Sequence, residues 1–197
     1  MYPFIRMAKE LLLYRNAPRL ALTGTHVSHH IIWPWDLDPW VELNNGRTLT
    51  LYDLGRLPLA RRTGLDQVLA AHGWGLTVAG SSVRYRRRVQ AFARVEMRSR
   101  CIGWDARFVY LDQSMWLGAD CTSQVLIRNA IVSRAGIVPP AEMATAMGHV
   151  GPSPALPAWV QAWIDAEAMR PWPPETQACA ARPLPVLSRE KQRAEDG

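Results

Sequence analysis

The spacing of apolar positions changes period along this chain. Residues 26–35 (HVSHHIIWPW) are β-branched and aromatic and run into a turn, the composition of a strand. Across residues 46–62, Leu49, Tyr52, Leu54 and Leu57 lie on one broad apolar face, which predicts a helix. Pro58 is expected to kink its last turns, because proline has no N–H for the carbonyl four residues back. Gly64 supplies a terminator. A second, shorter helix, LDQVLAAHG, ends at Gly73. From residue 93 to 102 the period becomes two: Arg94, Glu96, Arg98 and Arg100 alternate with Val95, Met97, Ser99 and Cys101. One wet face and one buried face are the mark of an antiparallel sheet covered on one side. Turns at 103–106 (GWDA) and 117–120 (LGAD) separate further strands at 107–116 and 122–134, a meander. A strand, a long helix and then a run of strands predict an α+β fold in which an antiparallel sheet wraps a long central helix.

The length of 197 residues suits one domain with a full core. The N-terminal stretch MYPFIRMAKELLLYR is interrupted by Arg6, Lys9 and Glu10, unlike a signal peptide. It predicts a short amphipathic helix docked on the domain, with contact to a membrane surface a second reading. No apolar run reaches the roughly 20 residues that span a bilayer, so no stable membrane insertion is expected. The resulting division is 1–24 for helix and lead-in, 25–138 for the sheet domain, 139–170 for a helical extension and 171–197 for a loose, proline-rich tail. The three cysteines, Cys101, Cys121 and Cys179, show no metal spacing and suit a reducing, cytoplasmic compartment.

Packing alone does not explain DLDPWVELNNGRTLTLYDLGR, residues 36–56, where two aspartates precede the predicted helix. A helix start offers unpaired N–H groups and partial positive charge. The stretch resembles the strand-to-helix motif of hotdog-fold acyl-CoA thioesterases of the 4-hydroxybenzoyl-CoA type. In that motif, paired aspartates are followed by paired asparagines and a helix. Asp36 and Asp38 match the aspartates, Asn44 and Asn45 the asparagines, and Leu49, Asp53 and Arg56 the helix positions. Asp38-Pro39 matches a variant with proline after the catalytic aspartate. SVRYRRRV, followed by alternating strands, extends the likeness to roughly residues 25–135. Val41, Glu42 and Thr48 depart from it, standing where glycine, histidine and tyrosine are usual.

The resemblance implies a thioester hydrolase acting on an acyl-CoA or acyl-carrier-protein substrate as a homodimer or tetramer, with no cofactor and no metal. Asp38 is then the catalytic carboxylate, attacking directly or activating water. The N–H groups of Asn45 and Gly46 would face the oxyanion. Asp36 is expected to orient the loop, and Glu42 is either a loop acid or a group that positions water or substrate. Asp53 and Arg56 are read as structural, Asp53 paired with a basic neighbour. Trp40, inside the loop, is the tryptophan expected against substrate. Arg86, Arg87 and Arg88 would hold coenzyme A phosphates or form a solvated strand edge; nucleic acid ranks below both. A non-catalytic acyl-CoA binding protein and a hotdog hydratase or dehydratase are the alternatives, because one fold hosts several activities. His26 and His30 would share one strand face and His29 the other, without the ligand cluster a metal needs. The net charge of +6 suits anionic partners.

Overall fold

The computed structural model describes residues 2–174. The chain falls into two compact units, Met1–Leu156 and the residues from Pro157 onward. Within the first, the elements run α1 (Phe4–Leu13), β1 (His26–Ile31), α2 (Asn45–Thr63), α3 (Leu65–His72), β2 (Gly75–Tyr85), β3 (Arg94–Trp104), β4 (Val109–Leu117), β5 (Asp120–Ser133), β6 (Gly136–Val138) and α4 (Pro140–Ala146). The second unit contributes α5 (Ala158–Met169). The predicted loose tail lies, from residue 175, outside the described residues.

The strands are antiparallel in the order β1-β3-β4-β5-β2, with β6 beside β5. β3 alternates as its sequence predicts: Val95, Met97, Ser99 and Cys101 are buried and Arg94, Arg98 and Arg100 are exposed. Helix α2 lies on the buried face. Leu51, Tyr52, Leu54, Gly55 and Leu59 are enclosed, whereas Leu57 of the predicted apolar face is 37% exposed. Gly55 allows the close approach, since a Cβ there would meet Ser99 Oγ at 2.5 Å and Met97 Sδ at 2.8 Å. Gln113 Nε2 donates to Tyr52 O (2.9 Å) and Ser99 Oγ (2.7 Å), and Tyr52 Oη bonds Ser123, while Gln113 Oε1 finds no partner among the described residues. Pro58 sits inside α2 without ending it, and Gly64 and Gly73, both left-handed, close α2 and α3.

Three boundaries differ from the sequence reading. The strand predicted to residue 35 ends at Ile31, and Pro34–Asp36 forms a 3₁₀ turn, since proline cannot donate to a ladder. The pattern also gave no strand at Gly75–Tyr85, because β2 is an edge strand with little buried alternation. Arg86–Arg88 leave the sheet: the N–H groups of Arg86 and Arg87 both turn onto Thr122 O, so strand alternation does not govern where these arginines point.

The two sheet edges are treated differently. At β1, Arg6 Nη2 donates to Ile31 O (2.9 Å) and Tyr14 Oη to Val27 O (3.1 Å), so α1 and the residue just after it occupy edge carbonyls. At β2 the described residues offer only β5 as a ladder partner.

Asp36 fastens this arrangement. It is fully buried. Its carboxylate accepts from Arg6 Nη1 of α1 (2.7 Å), Arg47 Nε of α2 (2.6 Å) and the N–H of Trp33 (3.0 Å). These bonds hold its carboxyl below the usual carboxylate range, against the burial that opposes ionisation. Removing one member of a buried ion pair leaves its partners uncompensated. Asp36→Asn should therefore lower unfolding free energy by roughly 3 kcal/mol in urea titration and raise hydrogen exchange in α1.

His26 and His30 lie on the buried face of β1. His30 Nε2 is 2.9 Å from Ser28 Oγ, and the charged groups near its ring are Glu10, 3.8 Å from Nδ1, with Arg6 and Lys9. Burial and the Arg62 charge push His26 down to about 4, and burial with the Arg6 and Lys9 charges pushes His30 down to about 3. Unfolded histidine titrates near 6.5. Below that pH the unfolded chain binds protons that the folded chain refuses. Stability is thus fully present above about pH 6.5 and drains away toward pH 4. Between about pH 7 and 5 the loss should be roughly 1–2 kcal/mol per histidine, seen as a falling urea midpoint while NMR shows both rings still neutral.

Candidate functional site

Between β1 and α2 the chain closes a small loop on itself. Leu37 and Leu43 form an antiparallel bridge, and the Asp38 N–H donates to Glu42 O (2.9 Å). Inside it, Asp38 Oδ1 accepts from the N–H of Trp40 (2.9 Å) and more distantly from that of Glu42 (3.4 Å), the local bonding that makes aspartate a turn residue. Asp38 Oδ2 accepts nothing from the described residues. Val41, between them, has φ 60°, a left-handed conformation that costs a β-branched residue roughly 1–2 kcal/mol. This is the position where the motif usually carries glycine, so the loop keeps the glycine-type backbone with a valine in it. Trp40 projects from the loop and is 75% exposed.

The loop is pinned on both sides before the helix begins. Leu43 N donates to Val89 O (2.8 Å) and Asn44 N to Asp36 O (3.0 Å). Asn44 is then the N-cap of α2: its Oδ1 accepts from the Arg47 N–H (3.0 Å), and its carbonyl takes the Thr48 N–H (2.8 Å) and hydroxyl (3.0 Å). Of the first four helix N–H groups, those of Arg47 and Thr48 are thereby satisfied. Those of Asn45 and Gly46 donate to no acceptor among the described residues. A carbonyl or anion delivered to this end of α2 would meet two free donors and the positive pole of the helix.

Two cavities flank that helix start. On one side a cavity of about 190 Å³ brings together Glu42, Asn45 and the three arginines Arg86, Arg87 and Arg88, with Thr48, Tyr85, Thr122 and Ser123. Arg88 Nε lies 2.8 Å from Glu42 Oε2, an exposed pair, and Tyr85 Oη donates to Asn45 O (3.1 Å). On the other side a cavity of about 1160 Å³ opens between α1 and the 3₁₀ turn, bordered by Phe4, Trp33, Trp35, Asp36, Asn44 and Arg47. Asp38, Trp40 and Gly46 line neither cavity.

The other candidate groups have settled partners. Arg56 pairs with Asp53 on α2, as expected of Asp53. Cys101 is buried and its thiol is pushed up to about 11, which keeps it a thiol at neutral pH. The sequence reading took Thr48 only as a departure from the motif and did not single out Thr122 and Ser123, all of which share a cavity with the arginines. Tyr85 adjoins the basic run, but the two residues from β5 carry no local signal. Arg6 and Arg47 were likewise not paired with Asp36 in advance, because only the fold brings them together.

No helix among the described residues is long and apolar enough to cross a membrane. Solved structures with the same fold include a 1,4-dihydroxy-2-naphthoyl-CoA thioesterase from Synechocystis (TM-score 0.55, 12% identity, 64% of this chain and 96% of that one). Another is a DHNA-CoA thioesterase from Staphylococcus aureus (TM-score 0.53, 11% identity, 73% and 91%). In sequence, the chain is 34% identical over 126 residues to protein THEM6 of Xenopus laevis, covering 63% of this chain and 61% of that protein. It is 31% identical over 98 residues to THEM6 of Danio rerio, covering 50% and 48%. The chain thus spans about half to three-fifths of the length of these curated relatives. The family model of the thioesterase-like superfamily matches residues 32–164, which takes in the capped helix, its loop and the whole sheet from β2 onward; with more than half its length matched, the chain belongs to the thioesterase-like superfamily.

Proposed function

We propose that this protein hydrolyses an acyl thioester of coenzyme A at the N-terminus of α2. The observation that carries this reading is the pair of unclaimed N–H groups of Asn45 and Gly46 beside a loop bearing a carboxylate, in a chain of this superfamily. The thioester carbonyl oxygen accepts from the two N–H groups. They bind it more tightly as it becomes an oxyanion, which is where catalysis gains. Asp38, free at Oδ2, supplies the electron pair, either to the carbonyl carbon or to a proton of attacking water. Collapse of the tetrahedral species breaks the C–S bond and releases the coenzyme A thiolate, which takes up a proton; when Asp38 has attacked the carbon itself, a water then hydrolyses the acyl anhydride and frees Asp38. The products are the carboxylate and the thiol of coenzyme A. The phosphates of coenzyme A lie against Arg86, Arg87 and Arg88, the acyl group enters the large cavity, and Trp40 covers the thioester. Glu42, tied to Arg88, positions that arginine or the attacking water. We place the activity in the cytoplasm, where Cys101 and Cys121, both free, remain reduced.

A second reading, acyl-CoA binding without hydrolysis, is favoured by one observation: Asp38 spends one oxygen on its own turn and lines neither cavity. Free-thiol release from a panel of acyl-CoA thioesters separates the two. Asp38→Ala should lower turnover about 100-fold or more with the fold intact. Single substitution of the arginines should raise KM for acyl-CoA and leave short thioesters lacking the nucleotide unaffected. A folded Asp38→Ala protein with wild-type turnover removes Asp38 from the mechanism. Tight acyl-CoA binding without any thiol release establishes the binding reading.

We further propose a homodimer formed through β2. This strand runs 11 residues along a sheet edge, with Leu76 and Val78 exposed on it. A long, exposed edge pairs with another edge unless it is blocked. Val78→Asp would set two carboxylates near one another across the two-fold axis. It should convert the dimer to monomer in sedimentation velocity at micromolar concentration. A wild-type monomer, or a variant that remains dimeric, contradicts this interface.

A further inference from the structure

Helix α1 turns much of its apolar surface outward and buries a charged residue. At 100° per residue, Phe4, Ile5, Ala8 and Leu12 share one arc of the helix, and all four are exposed, Ile5 to 88%. The arc against the domain carries Met7, packed on the core, together with Glu10, 1% exposed, and Arg6, which is committed to Asp36 and Ile31. A surface helix of a globular protein ordinarily does the reverse. The apolar arc is also not isolated. Trp35 and Phe92, each 67% exposed, flank Trp33, which stacks on Trp35 (5.2 Å between centroids) and meets Phe92 edge-on (6.2 Å). Phe4, Ile5, Trp33 and Trp35 together border the large cavity.

The charge around this face has one sign. Residues 1–35 hold four basic side chains, Arg6, Lys9, Arg15 and Arg19, and a single acid, Glu10. Glu10 is buried with Lys9 Nζ 3.1 Å away, so it shows no negative charge outward. Lys9 and Arg15 are exposed, and Arg94, exposed as well, borders the cavity. Aliphatic and indole side chains rimmed by cations match the boundary of an anionic bilayer, where apolar groups enter the headgroup layer and nearby cations are drawn to the anionic surface.

We propose that this face seats the protein peripherally on an anionic lipid bilayer, with the α1 arc and Trp35 in the headgroup layer and the large cavity opening toward the acyl chains. The surface argument is independent of the catalytic assignment, and its test does not use activity. The full chain is co-sedimented with vesicles of phosphatidylcholine alone and of phosphatidylcholine mixed with phosphatidylglycerol. It should pellet with the mixed vesicles, stay largely in solution with the neutral ones, and be released as salt shortens the Debye length toward about 3 Å at 1 M. The double substitution Ile5→Glu, Leu12→Glu should cut partitioning at least about tenfold, since two apolar side chains lose their burial. If that variant does not fold, Trp35→Glu, on a different element, reads the same face and should also weaken partitioning. Wild-type protein left in solution with anionic vesicles overturns the proposal, and so does a folded double variant that binds as well as wild type. A double variant that instead breaks a lipid-free oligomer into smaller species identifies the face as a contact between copies, and overturns it equally.

Discussion

One buried carboxylate sets the geometry around the helix start. Asp36 is removed from water, which for an isolated charge costs far more than a domain can spare, so it is held only because two guanidinium groups and an N–H converge on it. Those partners come from different places: Arg6 from α1, Arg47 from the first turn of α2, and the Trp33 amide from the 3₁₀ turn. Its backbone carbonyl takes the Asn44 N–H as well. The direction in which α2 begins, the path of the loop before it and the seat of α1 are thereby one problem with one solution. Asp38, two residues on, has a different task, closing its own turn with one oxygen and leaving the other open. The two aspartates of the motif separate in environment: Asp36 is enclosed among cations, and Asp38 closes its own turn with one oxygen left open.

That division bears on chemistry. An oxyanion site must be rigid before substrate arrives, or its donors lose in reorganisation what they gain in attraction. Here the N-cap, the pinned loop and the Asp36 contacts fix the two open N–H groups from the protein side. The strained residue is Val41, at the tip of the loop and away from those donors.

Much of this was legible in the sequence where the signal is local. The ends of α2 are written in Asn44 and Gly64, and the meander in the alternation of Val95, Met97, Ser99 and Cys101 against arginines. The Asp-x-Asp and Asn-Asn spacing pointed to the right junction. What was not legible depends on partners distant along the chain. β2 escapes notice because an edge strand buries too little for its pattern to alternate. The basic run reads as strand by composition, yet both amides of Arg86 and Arg87 are captured by Thr122. The large cavity has no sequence signature, since it exists only where α1 stands off the 3₁₀ turn. Nor does residue spacing reveal that α1 turns Glu10 and Arg6 inward beside Met7, because a helical wheel states which residues share a face but not which face turns inward.

The unequal treatment of the two sheet edges has a further consequence. Arg6 and Tyr14 occupy carbonyls along β1, whereas β2 pairs only with β5 among the described residues, with one carbonyl, that of Ala79 at its bulge, taken by Arg128. A sheet with two receptive borders can grow without limit, each added copy presenting a fresh border to the next. A sheet with one receptive border can accept a single neighbour, and if that neighbour is another copy of itself, their union leaves nothing further to extend. In this fold the border lined by α1 is the less receptive one, and the ion pair that anchors Arg6 to Asp36 helps hold that cover in place.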